Sequence, residues 1–249
     1  MGSHLGHADG VWQSGLGPFL PRLPCISMTA VVKVSAMKKA LLVGGGWEGH
    51  HPEKIVALFA EALRAHGFET EIESSLEVYA NVERLKQFAL IFPCWTMGQL
   101  TKEQSAGLQD AVKSGVGLGG IHGGMGDAFR GNTTFEWMVG GHFVGHPQVG
   151  DYTVAVKDLA TPITQGLPAE FAFRSEQYYL LVDPGVQVLA DTQYIYEGRR
   201  VTMPVAWIKT WGKGRVFYCS LGHQPEEFTA FPEAMTLSVQ GLLWAGRAL

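Results

Sequence analysis

The chain has 249 residues, of which 46% are hydrophobic and 17% are charged, and its formal net charge is −4. This composition suits one α/β domain with a sizeable core, and the absence of any Lys or Arg cluster argues against a nucleic-acid or membrane partner. No apolar run approaches the ~20 residues that span a bilayer. The three cysteines are widely spaced without a C-x-x-C pair, which fits a reducing cytoplasm and predicts neither a disulfide framework nor a thiolate zinc site.

The first segment, residues 1–36, is predicted to be an irregular tail outside the fold. Glycine, proline and isolated apolar residues follow one another there without a period. The segment lacks the basic start and continuous apolar stretch of a signal peptide. Met28 and Met37 could each be the native start, so the tail could be an artefact of the start site or of cloning. We expect residues 37–249 to form a single domain.

The domain begins with a strand, a loop and a helix. The apolar run 40–43 predicts a strand, and the loop 44–51 that follows is rich in glycine and histidine. Pro52 suits the first turn of a helix, and apolar residues then recur at helical spacing until Gly67. Residues 68–73 and 88–92 predict two further strands. A capping box at Thr101 and Gln104 predicts the next helix.

The strand that follows ends at a histidine. The short run 116–121 leads into His122-Gly123-Gly124, a pattern typical of a buried strand that ends in a tight elbow. Strands and helices that alternate in this way predict a mostly parallel sheet with helices on both faces. Because ligands bind beyond the carboxyl ends of such strands, the loops 44–51, 93–98 and 122–126 are expected to gather at one edge of the sheet.

Six of the nine histidines lie in or beside glycine-rich segments at predicted strand ends, whereas His4, His7 and His66 do not. Histidine binds metals and moves protons near neutral pH, so these imidazoles, together with Glu48 or Glu176, predict a metal or acid–base site. The six are His50, His51, His122, His142, His146 and His223.

Some of these residues also have purely structural explanations. His50 and His51 could simply cap the helix that starts at Pro52. His142 and His146 have the i, i+4 spacing of one helical face, but their flanking glycines and proline favour a loop.

The aromatic residues and cysteines near the strand ends leave similar alternatives. Trp47, Trp95 and Trp137 could stack on a sugar or belong to the core. Cys94 is interpreted as a buried thiol because no activating base is near it in sequence, and Cys219 is interpreted as a core residue because it lies inside a predicted strand. The glycines at 44–46 depart from G-x-G-x-x-G, so no nucleotide cofactor is expected.

From residue 37 to the C-terminus the chain resembles the trehalose-utilisation (ThuA-like) family, because several motifs occur in the same order. These are Gly44-Gly45-Gly46 with His51-Pro52, Gly120-Ile121-His122, Gly140-Gly141-His142-Phe143 with His146-Pro147, the segment from Pro162 to Leu167, Glu176 with Tyr178, and Leu221-Gly222-His223. The resemblance implies a flavodoxin-like three-layer α/β sandwich similar to class I glutamine amidotransferases. His122 stands where their cysteine nucleophile would be, so amidotransferase chemistry is not expected.

The resemblance implies a role in sugar catabolism, on disaccharides that a partner dehydrogenase oxidises to 3-keto forms. We expect a divalent metal, zinc or manganese, among His51, His122, His142, His146 and His223. The predicted catalytic residues are His122, Glu176 and His223, with Glu176 abstracting a proton beside a keto group. Gly46, Trp47, Trp95 and Tyr178 are the predicted substrate-binding residues.

Two other functions fit the same residues. A non-catalytic sugar-binding or regulatory protein would use the same aromatic cleft, and a metal-dependent hydrolase would use the same imidazoles. A homo-oligomer is compatible with each of the three functions.

Overall fold

The computed structural model describes residues 37–249, and the predicted tail lies outside this range. Nine strands form a single sheet in the order β2-β1-β3-β4-β9-β8-β7-β5-β6. The strands are β1 (Lys38–Gly46), β2 (Phe68–Glu73), β3 (Leu90–Thr96), β4 (Gly117–Ile121), β5 (Gly141–Val156), β6 (Glu170–Val182), β7 (Gln187–Tyr196), β8 (Arg199–Trp211) and β9 (Gly214–Cys219). The helices are α1 (Pro52–Ala65), α2 (Val82–Leu85), α3 (Lys102–Ser114), α4 (His122–Gly126), α5 (Thr133–Val139), α6 (Glu227–Ala230) and α7 (Pro232–Ala245).

The sheet has a parallel half and an antiparallel half. Strands β2, β1, β3, β4 and β9 pair in parallel, whereas β9, β8, β7, β5 and β6 pair antiparallel. The α/β class predicted from the sequence is confirmed. The prediction of a mostly parallel sheet is corrected to a mixed sheet, because the strands after β4 are joined mainly by short turns, which only antiparallel pairing permits.

Helices cover both faces of the parallel half. Ala40 and Leu42 of β1 pack with α1 and α7 in one core cluster, and Leu41 and Val43 point to the other face, where α3 packs. This alternation is the two-residue period of a strand buried on both sides. The sequence signals for the helices are also present, since Pro52 occupies the first turn of α1 and the Thr101–Gln104 capping box opens α3.

The antiparallel half bends back over the parallel half. Glu176 on the edge strand β6 lies 3.2 Å from His122 at the end of β4, although four strands separate β4 from β6 in the sheet order. Two register shifts interrupt the β5–β6 pairing near Gly145. Such bulges increase strand twist and bending. The bend places the middle of β6 over the carboxyl ends of the parallel strands.

None of the helices within residues 37–249 is long and apolar enough to cross a membrane.

Candidate metal centre

The carboxyl ends of β1, β3 and β4 meet at one edge, as the sequence predicts. The backbone N–H of Trp47 donates to the carbonyl of Thr96 over 3.1 Å. The ring centroids of His50 and His122 are 4.8 Å apart. The loops that follow these three strands therefore form one common site wall.

His122 occupies a strained elbow. It follows the buried strand β4 directly and has φ +43°, a left-handed conformation that non-glycine residues rarely adopt. His51 and Met97, beside the neighbouring strand ends, have φ values of +47° and +58°. Strained backbone of this kind concentrates at functional sites. The predicted elbow is confirmed, and it lies where two other strained residues converge.

Four side chains converge beyond the elbow. His50, His122, Glu176 and His223 each offer one ligand atom, and all four atoms lie within 4.8 Å of one another. Oε2 of Glu176 is 3.2 Å from Nε2 of His122 and 3.5 Å from Nδ1 of His223. His122 is only 2% exposed and His50 only 8%. The group is a compact, largely buried set of three imidazoles and one carboxylate.

Hydrogen bonds from the far side of two rings fix their orientation. Nδ1 of His122 lies 2.8 Å from the carbonyl oxygen of Ser220, which can only accept, so Nδ1 carries the hydrogen. Nδ1 of His50 pairs with the hydroxyl of Thr96 at 2.8 Å. In His122 this leaves Nε2 facing Glu176 Oε2 at the centre, and in His50 it leaves Nε2 as the ring nitrogen that Thr96 does not contact. Such outer hydrogen bonds are typical of histidines that bind metals.

Glu227 ties together the two chain segments that carry His223 and Glu176. Its Oε2 accepts a hydrogen bond from the backbone N–H of His223, and its Oε1 accepts one from the hydroxyl of Ser175, both over 2.8 Å. Ser175 immediately precedes Glu176 on β6. Glu227 on α6 thereby fixes the positions of Glu176, the predicted base, and of His223, a predicted ligand.

Three buried polar atoms at the centre have no hydrogen-bond partner among residues 37–249: His122 Nε2, Glu176 Oε2 and His223 Nδ1. His122 Nε2 and Glu176 Oε2 are close, but their alignment is not that of a hydrogen bond. In the neutral tautomer of His122 with its hydrogen on Nδ1, two lone pairs face each other there. A bound cation removes this repulsion, and a donor set of imidazole nitrogens and one carboxylate is that of zinc and related divalent metals.

The electrostatics of the centre favour the protonation states that a metal needs. Burial, together with the neighbouring His122 and His223, lowers the pKa of His50 to about 3. Burial also lowers the pKa of His223. Burial alone would raise the pKa of Glu176, but positive charge on the adjacent imidazoles, His122 first among them, outweighs it and lowers that pKa to about 2. A neutral His50 and an ionised Glu176 at neutral pH match the states that metal binding requires of these two residues.

The other histidines predicted as ligands lie at different places. His146 is 43% exposed, and its Nε2 is 3.6 Å from Oε1 of Glu176, so it stands at the mouth of the centre. His142 faces Glu136 at 3.6 Å and is not among the four converging residues. Both lie on strand β5, rather than in the loop or on the helix considered from the sequence. His51 ends a 3-10 turn and precedes α1, and it too is outside the group of four.

The residues predicted to bind substrate divide into two pairs. Tyr178 stacks on His122 with ring centroids 4.1 Å apart, and Trp47 is 47% exposed with its ring 4.7 Å from that of His50. Trp95 packs beneath the loops instead, since a Cβ on Gly45 would meet its ring at 2.5 Å. Gly46, with φ +81°, lies so close to the carbonyl of Thr96 that no side chain fits. Trp47 and Tyr178 adjoin the centre, and Trp95 and Gly46 shape the loop around it.

The sequence interpretation left His50 out of its predicted metal ligands, although His50 belongs to the converging group, and it missed the residues that orient this group. His50 belongs to a His-His pair, and the 3-10 turn Glu48–His50 turns it inward. Gly123 makes room for it, because a Cβ there would lie 2.3 Å from the His50 ring. Thr96, Ser220 and Glu227 carry no sequence signal, because their contacts join segments far apart in the chain.

Comparison with known proteins gives a consistent family match. The family model for ThuA, described as trehalose utilisation, matches residues 39–245. A structure described as a ThuA-like protein from Bacteroides uniformis aligns with a TM-score of 0.69 and 23% identity, covering 84% of this chain and 91% of that one. A second ThuA-like structure, from Parabacteroides merdae, aligns with a TM-score of 0.66 and 16% identity over 84% and 90% of the two chains.

A structure described as a cytoplasmic protein from Salmonella typhimurium also shares the fold. Its TM-score is 0.59 and its identity 12%, over 84% of this chain and 99% of that one. No curated protein sequence matches this chain.

Proposed function

The chain belongs to the trehalose-utilisation (ThuA) family, and from this premise we propose that it is a carbohydrate-catabolism enzyme. It acts, with the help of a divalent metal, on a 3-keto-disaccharide or a related sugar by abstracting a proton next to the keto group. The observation that carries the proposal is the set of three unpartnered buried atoms, His122 Nε2, Glu176 Oε2 and His223 Nδ1. A site left in this state is arranged to receive something that is absent from the polypeptide.

In this proposal His50, His122, His223 and Glu176 hold a zinc or manganese ion. When bound, such an ion supplies a Lewis acid that polarises a carbonyl oxygen and makes the neighbouring C–H more acidic. The fixed Nδ1–H of His122 keeps Nε2 available as a lone-pair donor. The exposed ring of Trp47, held against His50, offers a face on which a sugar can stack.

Glu176 is the proposed base. Its Oε2 belongs to the ligand group, and its Oε1 faces His146 at 3.6 Å. Oε1 takes the proton from the carbon beside the keto group, and half-exposed His146 passes it on to solvent. In a 3-keto-glycoside, the electron pair of the C2–H bond then forms a C1=C2 double bond, the bond from C1 to the glycosidic oxygen breaks, and the departing oxygen takes a proton from water, so that β-elimination cleaves the sugar linkage. Isomerisation results instead when the enediolate is protonated at C3, the C2 hydroxyl loses its proton and the oxygen on C3 gains one, which moves the keto group from C3 to C2.

Several broader expectations accompany this proposal. A sugar dehydrogenase would supply the keto-sugar, and the protein would work in the cytoplasm, alone or as a homo-oligomer. For the finer fold class we propose a three-layer sandwich of the flavodoxin and amidotransferase type. It is supported by the packing of α1 and α7 on one face of the parallel strands and of α3 on the other.

The test combines metal analysis with an activity assay. Wild-type protein, His122→Ala and the control His66→Ala are incubated with zinc or manganese, desalted and analysed for metal, and each is assayed with 3-keto-trehalose. His66 is an exposed residue at the end of α1, so its removal leaves the centre intact. We expect wild type and His66→Ala to retain metal and turn the sugar over, and His122→Ala to lose about 10–100-fold in metal affinity and at least as much in activity.

Three outcomes would contradict the proposal. If the wild-type protein retains no metal and His122→Ala turns the sugar over at the wild-type rate, the centre has no part in the mechanism. Calorimetric sugar binding without turnover of any keto-sugar would select the non-catalytic sugar-binding protein. Turnover of chromogenic esters with zinc or manganese, but not of keto-sugars, would select the hydrolase.

A further inference from the structure

A cavity of about 240 Å³ lies beside the centre, between the segment after α4 and the start of β5. One part of its wall is apolar and includes Phe129, Phe135 and Phe143, and the rest is polar and includes Arg130 and His142. Small-molecule sites characteristically combine apolar walls with a few placed polar groups. The cavity is too small for a large ligand but has room for a single sugar ring.

The polar groups of the cavity occur as two neighbouring pairs, of which Asp127 and Arg130 are hydrogen-bonded to each other. Asp127 is only 5% exposed, and its two oxygens accept hydrogen bonds from Nε and Nη2 of Arg130 over 2.6 and 2.7 Å. Oε1 of Glu136 accepts the backbone N–H of Gly131 over 2.9 Å, and its Oε2 lies 3.6 Å from Nδ1 of His142. A mixture of hydrogen-bond donors and acceptors suits hydroxyl groups better than a strongly charged ligand.

The aromatic wall connects the cavity to the centre. The ring of Phe143 lies 4.5 Å from that of Tyr178, and Tyr178 lies 4.1 Å from His122. An aromatic face of this kind packs well against the apolar face of a pyranose. Phe143, which lines the cavity, is therefore in contact with the ring that stacks on His122.

Strand β5 sets the distance between the cavity and the imidazole group. His142 lines the cavity, and His146, four residues further along, faces Oε1 of Glu176. Four residues of strand span at most ~13 Å at ~3.3 Å per residue, and the register shifts around Gly145 shorten this distance. Two linked pyranose rings cover a comparable length.

We propose that this cavity binds the non-reacting ring of a disaccharide while the other ring lies at the imidazole centre. The inference rests on the proposed function for the identity of the substrate, but it concerns a different set of residues. It gives His142 a role in sugar binding, in place of the metal-binding role predicted from the sequence.

The test measures binding directly and does not depend on turnover. Trehalose and glucose are titrated by calorimetry or ligand-observed NMR into wild type, His142→Ala, Phe143→Leu and the surface control His66→Ala. Thermal melting of each variant shows whether it is folded. We expect His142→Ala and Phe143→Leu to bind trehalose at least about tenfold more weakly than wild type, with metal content unchanged in His142→Ala. His66→Ala should bind as wild type does.

Unchanged trehalose affinity in both folded variants would overturn the proposal, as would the absence of sugar binding to wild type. If His142→Ala loses its metal, His142 is a metal ligand after all, and this result would also overturn the proposal. Failure of the proposed function gives a different result: keto-sugars are not turned over, yet trehalose binding still depends on His142.

Discussion

At the scale of single residues, the direction in which each imidazole nitrogen points decides what the centre can do. The carbonyl oxygen of Ser220 accepts a hydrogen bond from Nδ1 of His122, so in the neutral ring the lone pair lies on Nε2, which faces the centre. Thr96 holds the corresponding nitrogen of His50. The orientation of these two imidazoles is thus set by Ser220 and Thr96, which contact the outer side of the rings, as in metal sites with well-ordered outer hydrogen bonds.

Thr96→Val tests this orientation at one atom. The substitution keeps the shape of the buried side chain but removes the hydroxyl that pairs with His50 Nδ1. We expect affinity for zinc to fall about 10–100-fold, because the His50 ring loses its fixed orientation. Competition with a chromogenic chelator measures the affinity. The matched control Thr210→Val, on an exposed position of β8, should bind zinc as wild type does; equal affinity in both variants would contradict the orienting role.

At the scale of elements, the long strand β5 contains residues for which the local sequence pattern predicts a loop. The glycines around His142 and His146 favour a loop, yet these residues belong to a 16-residue strand. Pairing with β6 supplies the backbone hydrogen bonds that a loop would leave to water, and the bulges absorb the glycines and Pro147. Tertiary pairing therefore overrides the local turn signals.

The junction between β8 and α5 offers a stability prediction for these elements. Trp207 on β8 is fully buried, and its Nε1 donates to the carbonyl of Val139, the last residue of α5, over 2.9 Å. Trp207→Phe leaves that carbonyl without its donor, so we expect the free energy of unfolding to fall by about 1–3 kcal/mol in urea titrations. Trp137→Phe, at a 62% exposed position, should change it by less than about 0.5 kcal/mol. Similar losses in both variants would show that the hydrogen bond contributes little.

At the scale of the whole molecule, one mixed sheet builds the site by bending. The parallel half supplies His50, His122 and His223 from its carboxyl ends, and the antiparallel half returns to supply Glu176. Neither half holds the complete group. The centre therefore depends on the integrity of the entire sheet.

Thiol labelling reports on that integrity. Cys94 on β3 and Cys219 on β9 are buried, and burial raises their pKa values to about 12 and about 11. At about pH 8 both remain protonated and inaccessible, so in a Cys25→Ser background we expect a disulfide reagent to label neither until urea unfolds the protein. Adding an exposed thiol by Glu103→Cys should give one rapidly reacting group. Rapid labelling of Cys94 or Cys219 in native protein would show that the sheet opens locally.

The sequence by itself determined much of the parallel half and the elbow at His122. Apolar strands, Pro52, the Thr101–Gln104 box and the glycines after His122 are local signals, and short-range sterics and hydrogen bonding decide them. The general rule for parallel sheets then placed the strand ends at one edge. Burial of Cys94 and Cys219 followed from their apolar strand surroundings.

Only the tertiary structure decided which histidines share the centre. His50 was selected over its neighbour His51 by one 3-10 turn, and His142 was directed to Glu136 by the pairing of β5. The bond that orients His122 joins residues 98 positions apart in the chain. Contacts of such long range arise from the bending of the sheet, which no local pattern encodes, and this is why the sequence identified the imidazoles but not their arrangement.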